Sequence, residues 1–153
     1  MPGAQKAVHH NEQSIRTSNQ PCSFKHVFSN AQWRSPEEAR NEPLTEKVDV
    51  YSLGNIFFRL ICGHEPWNSF EENGKKPPDD EITEMIGRGD MPLAPNKILT
   101  SDDPELEIIR EVIHKCYTFD PAERPSARKV AVALDRALQK LKQEYGDQPK
   151  GNH

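Results

Sequence analysis

Apolar residues between Val48 and Cys62 keep to no single stripe. Val48, Val50, Tyr51, Leu53, Ile56, Phe57, Phe58, Leu60, Ile61 and Cys62 surround a helical circumference, and Asp49, Ser52, Asn55 and Arg59 interrupt it. A helix that is apolar on every side is a buried one, because solvent tolerates none of its faces. The stretch is therefore predicted to be the central helix of the fold. Gly54 would let a neighbouring backbone come close, at some cost in propensity, and Gly63 suits a left-handed helix stop.

The pattern elsewhere divides the chain into helices and loops. Residues 1 to 22 are polar, lack periodicity and carry Pro2, Gly3 and Pro21, which predicts a disordered tail. Phe24, Phe28 and Trp33 mark the approach to packed structure, and the packed region is expected over 23–145. In the run from Gln32 to Ala39, Pro36 fits a first helical turn and Glu37 and Glu38 suit its positive end. After Gly63 the chain is loop-rich, punctuated by Pro66, Gly74, Pro77 and Pro78. A short amphipathic helix is predicted near Asp80 to Gly87, with Ile82, Met85 and Ile86 on one side. Residues 88 to 101 read as irregular. Asp103 and Pro104 form a capped helix start, followed by Leu106, Ile109, Val112, Ile113 and Cys116 at helical spacing. Ser126 caps the last helix, whose stripe is Val130, Leu134, Ala137, Leu138 and Leu141; residues 146–153 form a second tail. Four helices, no strand pair and no internal repeat make the fold class α.

Composition narrows the function classes. The 153 residues are 34% hydrophobic and 29% charged, enough for one soluble domain of ordinary size. A net charge of -4 argues against nucleic acid as a partner, which would call for a basic patch. No apolar run approaches the roughly 18 residues of a membrane span, so no membrane partner is expected. Cys22, Cys62 and Cys116 are odd in number and far apart, fitting neither a zinc spacing nor a disulfide framework. A reducing compartment follows, and the cytoplasm is the expected location. His9 and His10 lack further ligands at useful spacing, and Ser14, Thr17, Ser18 and Ser23 are read as linker hydroxyls. Arg88-Gly89-Asp90 spells an adhesion tripeptide in a chain with nothing extracellular about it.

Four motifs then occur in one order: R-S-P-E at Arg34 to Glu37, D-V-Y-S-L-G at Asp49 to Gly54, G-x-x-P-W at Gly63 to Trp67, and C-Y-x-x-x-P-x-x-R-P-S at Cys116 to Ser126. Together they resemble the C-terminal half of a eukaryotic protein kinase, of the tyrosine-kinase-like or tyrosine kinase type. Ser35, Pro36 and Glu37 resemble the A-P-E motif that closes the activation segment. Asp49 to Gly54 resembles the start of the central helix of the large lobe, and Arg124 the arginine before the last helix. The resemblance implies a partial, helical large lobe in which Glu37 pairs with Arg124 and Asp49 accepts backbone N–H bonds from the catalytic loop. It further implies ATP and Mg²⁺ as cofactors of a full-length parent, with protein substrates or regulators as partners.

Departures from the family matter as much. Phosphoryl transfer needs a carboxylate for Mg²⁺, a catalytic-loop Asp, a Gly-rich loop over the phosphates and a strand Lys. No aspartate precedes Asp49, which removes the H-R-D and D-F-G aspartates together, and no G-x-G-x-x-G occurs. Only 34 residues precede Ser35, too few for a small lobe. No catalytic, cofactor-binding or metal-binding residue is therefore assigned. Two readings stand: the C-terminal fragment of an active kinase that lacks its N-terminal kinase portion, and a non-catalytic kinase-like binding module or scaffold. In either, the central helix has lost covering elements, so Phe57, Phe58 or Leu60 is expected to be exposed.

Overall fold

The computed structural model describes residues 30–68 and 76–146, and all described regular structure is helical. A 3-10 turn at Ala31–Trp33 leads into α1 (Pro36–Ala39), followed by α2 (Lys47–Cys62) and α3 (Asp79–Arg88). Then come α4 (Asn96–Leu99), α5 (Pro104–Cys116) and α6 (Ala127–Tyr145). The His9-His10 pair, the hydroxyls of Ser14, Thr17, Ser18 and Ser23, and the two expected tails apart from Gly146 lie outside the described residues.

Local sequence sets the helix ends. Asp103 Oδ1 accepts the N–H groups of Glu105 at 2.8 Å and Leu106 at 3.4 Å, with Pro104 at the first helical position. Ser126 Oγ accepts the Lys129 N–H at 3.3 Å. Gly63 stops α2 with φ 77°, a left-handed conformation that carries little penalty without a Cβ. The stretch 88–101, expected to be irregular, instead contains α4. Pro95 supplies the carbonyl that takes the N–H groups of Ile98 and Leu99, and burial of Ile98 draws the turn inward. A single buried residue leaves no period to read, which is why α4 escaped the sequence pattern.

Helix α2 packs chiefly against α5, α5 against α6, and α3 against α1 and the 3-10 turn. One cluster joins Tyr51, Phe58 and Cys62 of α2 to Ile113 and Tyr117. A second joins Val50, Val112, Cys116 and Val130, and so links α2, α5 and α6. A third, around Ala31, Trp67, Ile82 and Ile86, seats α3. Gly54 is what lets α2 and α5 approach: a Cβ placed there would lie 2.8 Å from Cys116 Cβ and 3.1 Å from the Tyr117 ring. One residue on, Asn55 is buried and its Oδ1 accepts the Tyr117 hydroxyl at 2.7 Å. Its Nδ2 is the one buried side-chain N or O atom without a hydrogen-bond partner among the described residues.

The apolar circumference of α2 is covered on one side only. Val50, Tyr51, Gly54, Asn55, Phe58 and Cys62 are buried. Ile56 is 51% exposed and Leu60, one turn further on, 72% exposed. Phe57 is half-covered, while Phe58, expected among the uncovered residues, is buried at the α5 contact. Each large side chain left in water forgoes part of the roughly 1.5–3 kcal/mol that full burial contributes. On α6 only Val130 is buried, and Leu138 and Tyr145 are exposed.

Two outcomes are expected. Gly54→Val should lower the free energy of urea unfolding by about 1–3 kcal/mol, because neither Cys116 nor the Tyr117 ring has room to yield. The 153-residue chain should bind a hydrophobic dye, and replacing Ile56 and Leu60 together by Glu should abolish the signal while leaving helical circular dichroism unchanged. Absence of dye binding by the unmodified chain would show that the stripe is covered in solution.

Candidate functional site

The best-organised polar site lies where α1 meets the loop between α5 and α6. Ser35, in extended conformation, caps α1: its Oγ accepts the Glu38 N–H at 3.4 Å, and Glu38 Oε2 accepts the Ser35 N–H at 2.8 Å. This reciprocal box, with Pro36 at the first helical position, lets a four-residue helix hold a fixed direction. Arg34 Nη1 reinforces it with a contact of 3.1 Å to Glu38 Oε1. The direction aims Glu37 inward, where the carboxylate is 1% exposed.

There it meets Arg124, 87 positions later in the chain. Nη1 lies 2.7 Å from Oε1 and Nη2 lies 2.9 Å from Oε2, a two-pronged contact between planar groups. Arg124 Nε donates to the Thr118 carbonyl at 2.9 Å, Nη1 also to the Lys47 carbonyl at 2.8 Å, and Nη2 to the Phe119 carbonyl at 3.4 Å. The five N–H groups of the guanidinium thus all have acceptors. The Tyr51 ring stands 5.1 Å from the guanidinium carbon, and Lys47 Nζ donates to the Arg124 carbonyl. One side chain therefore joins α1, the start of α2 and the α5–α6 loop. Burial, together with the nearby Glu37 charge, pushes the Tyr51 hydroxyl pKa well above its ordinary value, although Arg124 opposes them, so this phenol stays neutral.

The other motif residues occupy distinct places. Asp49 lies in the first turn of α2 and is exposed. Gly54 lies against Cys116 and Tyr117 and serves packing. Ser35 and Pro36 are buried with Glu37 in the α1 turn. Sequence reasoning missed the carbonyl partners of Arg124 and the Lys47 contact, since neither a carbonyl position nor a lysine stem carries a motif.

Burial pushes the thiols of Cys62 and Cys116 up to about 11, so both stay protonated and inert near neutral pH. No group of three or more His, Cys, Asp or Glu able to hold a metal ion is present among the described residues. An apolar groove of about 330 Å³ runs between Trp67, Met85, Met91, Leu93 and Leu99, with His64 on its wall. In the tripeptide Arg88-Gly89-Asp90 the two charged ends pair with each other at 2.6 Å.

Comparison with known proteins agrees with this geometry. Residues 7–133 match the protein kinase domain family. The chain is 35% identical over 118 residues to the probable serine/threonine-protein kinase SIS8 of Arabidopsis thaliana, an alignment covering 77% of this chain and 10% of that protein. It is 29% identical over 105 residues to mitogen-activated protein kinase kinase kinase 12 of Rattus norvegicus, covering 69% and 10%. It is 30% identical over 123 residues to the RGS domain-containing serine/threonine-protein kinase A of Dictyostelium discoideum, covering 80% and 10%. A partial kinase large lobe is thus the class that the helical fold and the motifs define. The chain belongs to the protein kinase domain family, and it spans about a tenth of the length of these curated relatives.

The buried pair gives a direct expectation. Glu37→Gln leaves Arg124 charged without its counter-charge and should cost about 3–5 kcal/mol in urea unfolding. Glu42→Gln, at the exposed pair with Arg40, should move the same measurement by less than about 1 kcal/mol. Equal effects of the two would show that the Glu37–Arg124 contact is not desolvated.

Proposed function

We propose that this chain is the closing part of the catalytic domain of a protein kinase whose full-length form transfers the terminal phosphoryl group of ATP to hydroxyl groups of proteins. The observation that carries the reading is the buried two-pronged Glu37–Arg124 contact. It joins two motifs 87 positions apart, within a stretch that matches the kinase family over residues 7–133. Two of the relatives named above are described as serine/threonine kinases, which supports serine or threonine as the acceptor. Ser35, Pro36, Glu37 and Arg124 then fix the end of the activation segment, and Gly54 seats the central helix. Asp49, exposed at the start of α2, is read as the acceptor for N–H groups of the parent's catalytic loop.

The described residues of this chain do not fit ATP or Mg²⁺. They offer no cluster of carboxylates for the ion, and no G-x-G-x-x-G or aspartate before Asp49 occurs in the sequence. The chain alone is therefore read as inactive, its contribution being the helical platform for protein substrates and regulators. No helix among the described residues is long and apolar enough to cross a membrane. The buried free thiols of Cys62 and Cys116 fit a reducing compartment such as the cytoplasm.

Two measurements test the reading. In-frame coding sequence upstream of Met1 should contain H-R-D and D-F-G; an upstream stop codon in the mature transcript would favour the non-catalytic module instead. Purified residues 1 to 153 should show no thermal shift and no phosphate transfer under saturating Mg-ATP. A nucleotide-dependent shift would contradict the inactivity of the chain on its own.

A further inference from the structure

The backbone that leads into the Ser35-Pro36-Glu37 turn is gripped from two sides. On one side Ala31 is buried among Trp67, Ile82 and Ile86. On the other the grip is polar. Gln32, 6% exposed, places its Oε1 2.6 Å from Lys76 Nζ, and its Nε2 donates to Glu65 Oε2 at 3.5 Å. Lys76 Nζ also lies 2.9 Å from Asp79 Oδ1 at the start of α3. Lys76 first, and the backbone of Ala31 and Asn30 more weakly, hold the Asp79 carboxyl below its ordinary range. At the far end, Glu65 Oε1 pairs with Arg59 of α2 at 3.1 Å.

The signs alternate along this chain: Arg59, Glu65, the Gln32 amide, Lys76 and Asp79. The amide orientation at Gln32 follows from it, with the carbonyl toward the lysine and the NH₂ toward the carboxylate. A charge of either sign at position 32 would repel one neighbour. Lys76 is the pivot, because among the described residues it joins the Gln32 side chain to the Asp79 carboxylate at the start of α3.

We infer that Lys76 closes a charge-operated latch. Its ammonium group holds Gln32 and Asp79 so that Asn30–Trp33 stays docked on α3, and loss of that charge frees this lead-in segment while the helices remain folded. The physical basis is the location of the polar contacts. They lie outside the α2–α5 and α5–α6 packing, so opening them costs only the small cluster of Ala31 with Trp67, Ile82 and Ile86 and leaves the two larger-helix clusters intact. Lys76 and Asp79 are both solvent-accessible, so the latch is also weakened by salt. The device concerns the conformation of the segment before the Ser35-Pro36-Glu37 turn, and it stands whether or not a longer form of the protein transfers phosphate.

Amide hydrogen exchange on the 153-residue chain tests it. Lys76→Met and Asp79→Asn should each speed exchange about fivefold at the amides of Trp33 and Arg34, which donate to the Asn30 and Ala31 carbonyls of the docked turn, as expected for loss of a charged hydrogen bond at a wet site. Exchange at Val112 and Ile113 should not change. Lys76→Arg, which keeps the charge, should stay within about twofold of the unmodified chain. Unchanged exchange at Trp33 and Arg34 in both charge-removing variants would overturn the inference. So would acceleration of equal size at Val112 and Ile113, which would make Lys76 a support of the whole fold, and so would a Lys76→Arg variant as fast as Lys76→Met.

Discussion

Arg124 is held where solvent does not reach, and that constraint orders much of the molecule. A guanidinium cannot shed its proton, so burying it requires a counter-charge and an acceptor for every N–H. Glu37 supplies the charge; the carbonyls of Lys47, Thr118 and Phe119 supply the remaining acceptors. These groups come from α1, the start of α2 and the loop after α5, so satisfying one side chain fixes three segments. Such a pair adds little stability over a well-packed apolar substitute. What it contributes here is position: α1 is four residues long and, as a helix of that length, would not persist alone.

Beside this anchored corner, α2 is a helix made for more burial than it receives. Its contacts with α5 cover Tyr51, Phe58 and Cys62, and its contacts with the Val112–Val130 cluster cover Val50. The stripe through Ile56 and Leu60 faces outward. The residues of α2 are suited to packing from several directions, and the described helices supply only one. An apolar stripe of this kind limits stability and favours association, because an ordinary domain is stable by only about 5–15 kcal/mol.

Much of this was legible in the residues, and the reasons for the remainder are specific. The caps at Asp103 and Ser126 and the stop at Gly63 depend on side chains and backbone within a few positions, so the sequence displayed them directly. The close approach at Gly54 was anticipated from a glycine inside an apolar helix, although its partners Cys116 and Tyr117 were not. The Glu37–Arg124 contact was reached only through the order of four motifs, since nothing in the spacing of two charges 87 positions apart indicates a meeting. Partial exposure of α2 was expected, but which of its faces is covered, with Phe58 inside and Leu60 outside, was hidden, as were helix α4 and the Gln32–Lys76–Asp79 chain. Each depends on which elements are neighbours in space rather than on a local period.

The most direct test of the account is a double-mutant cycle at the buried pair, with Glu37→Met, Arg124→Met and the two combined, read by urea unfolding of the 153-residue chain. The account predicts that the double variant is less destabilised than the sum of the singles by about 2 kcal/mol or more, because the second change removes the charge stranded by the first. Losses that add to within about 0.5 kcal/mol would mean that the two groups act independently, and would contradict the claim that this contact organises the fold.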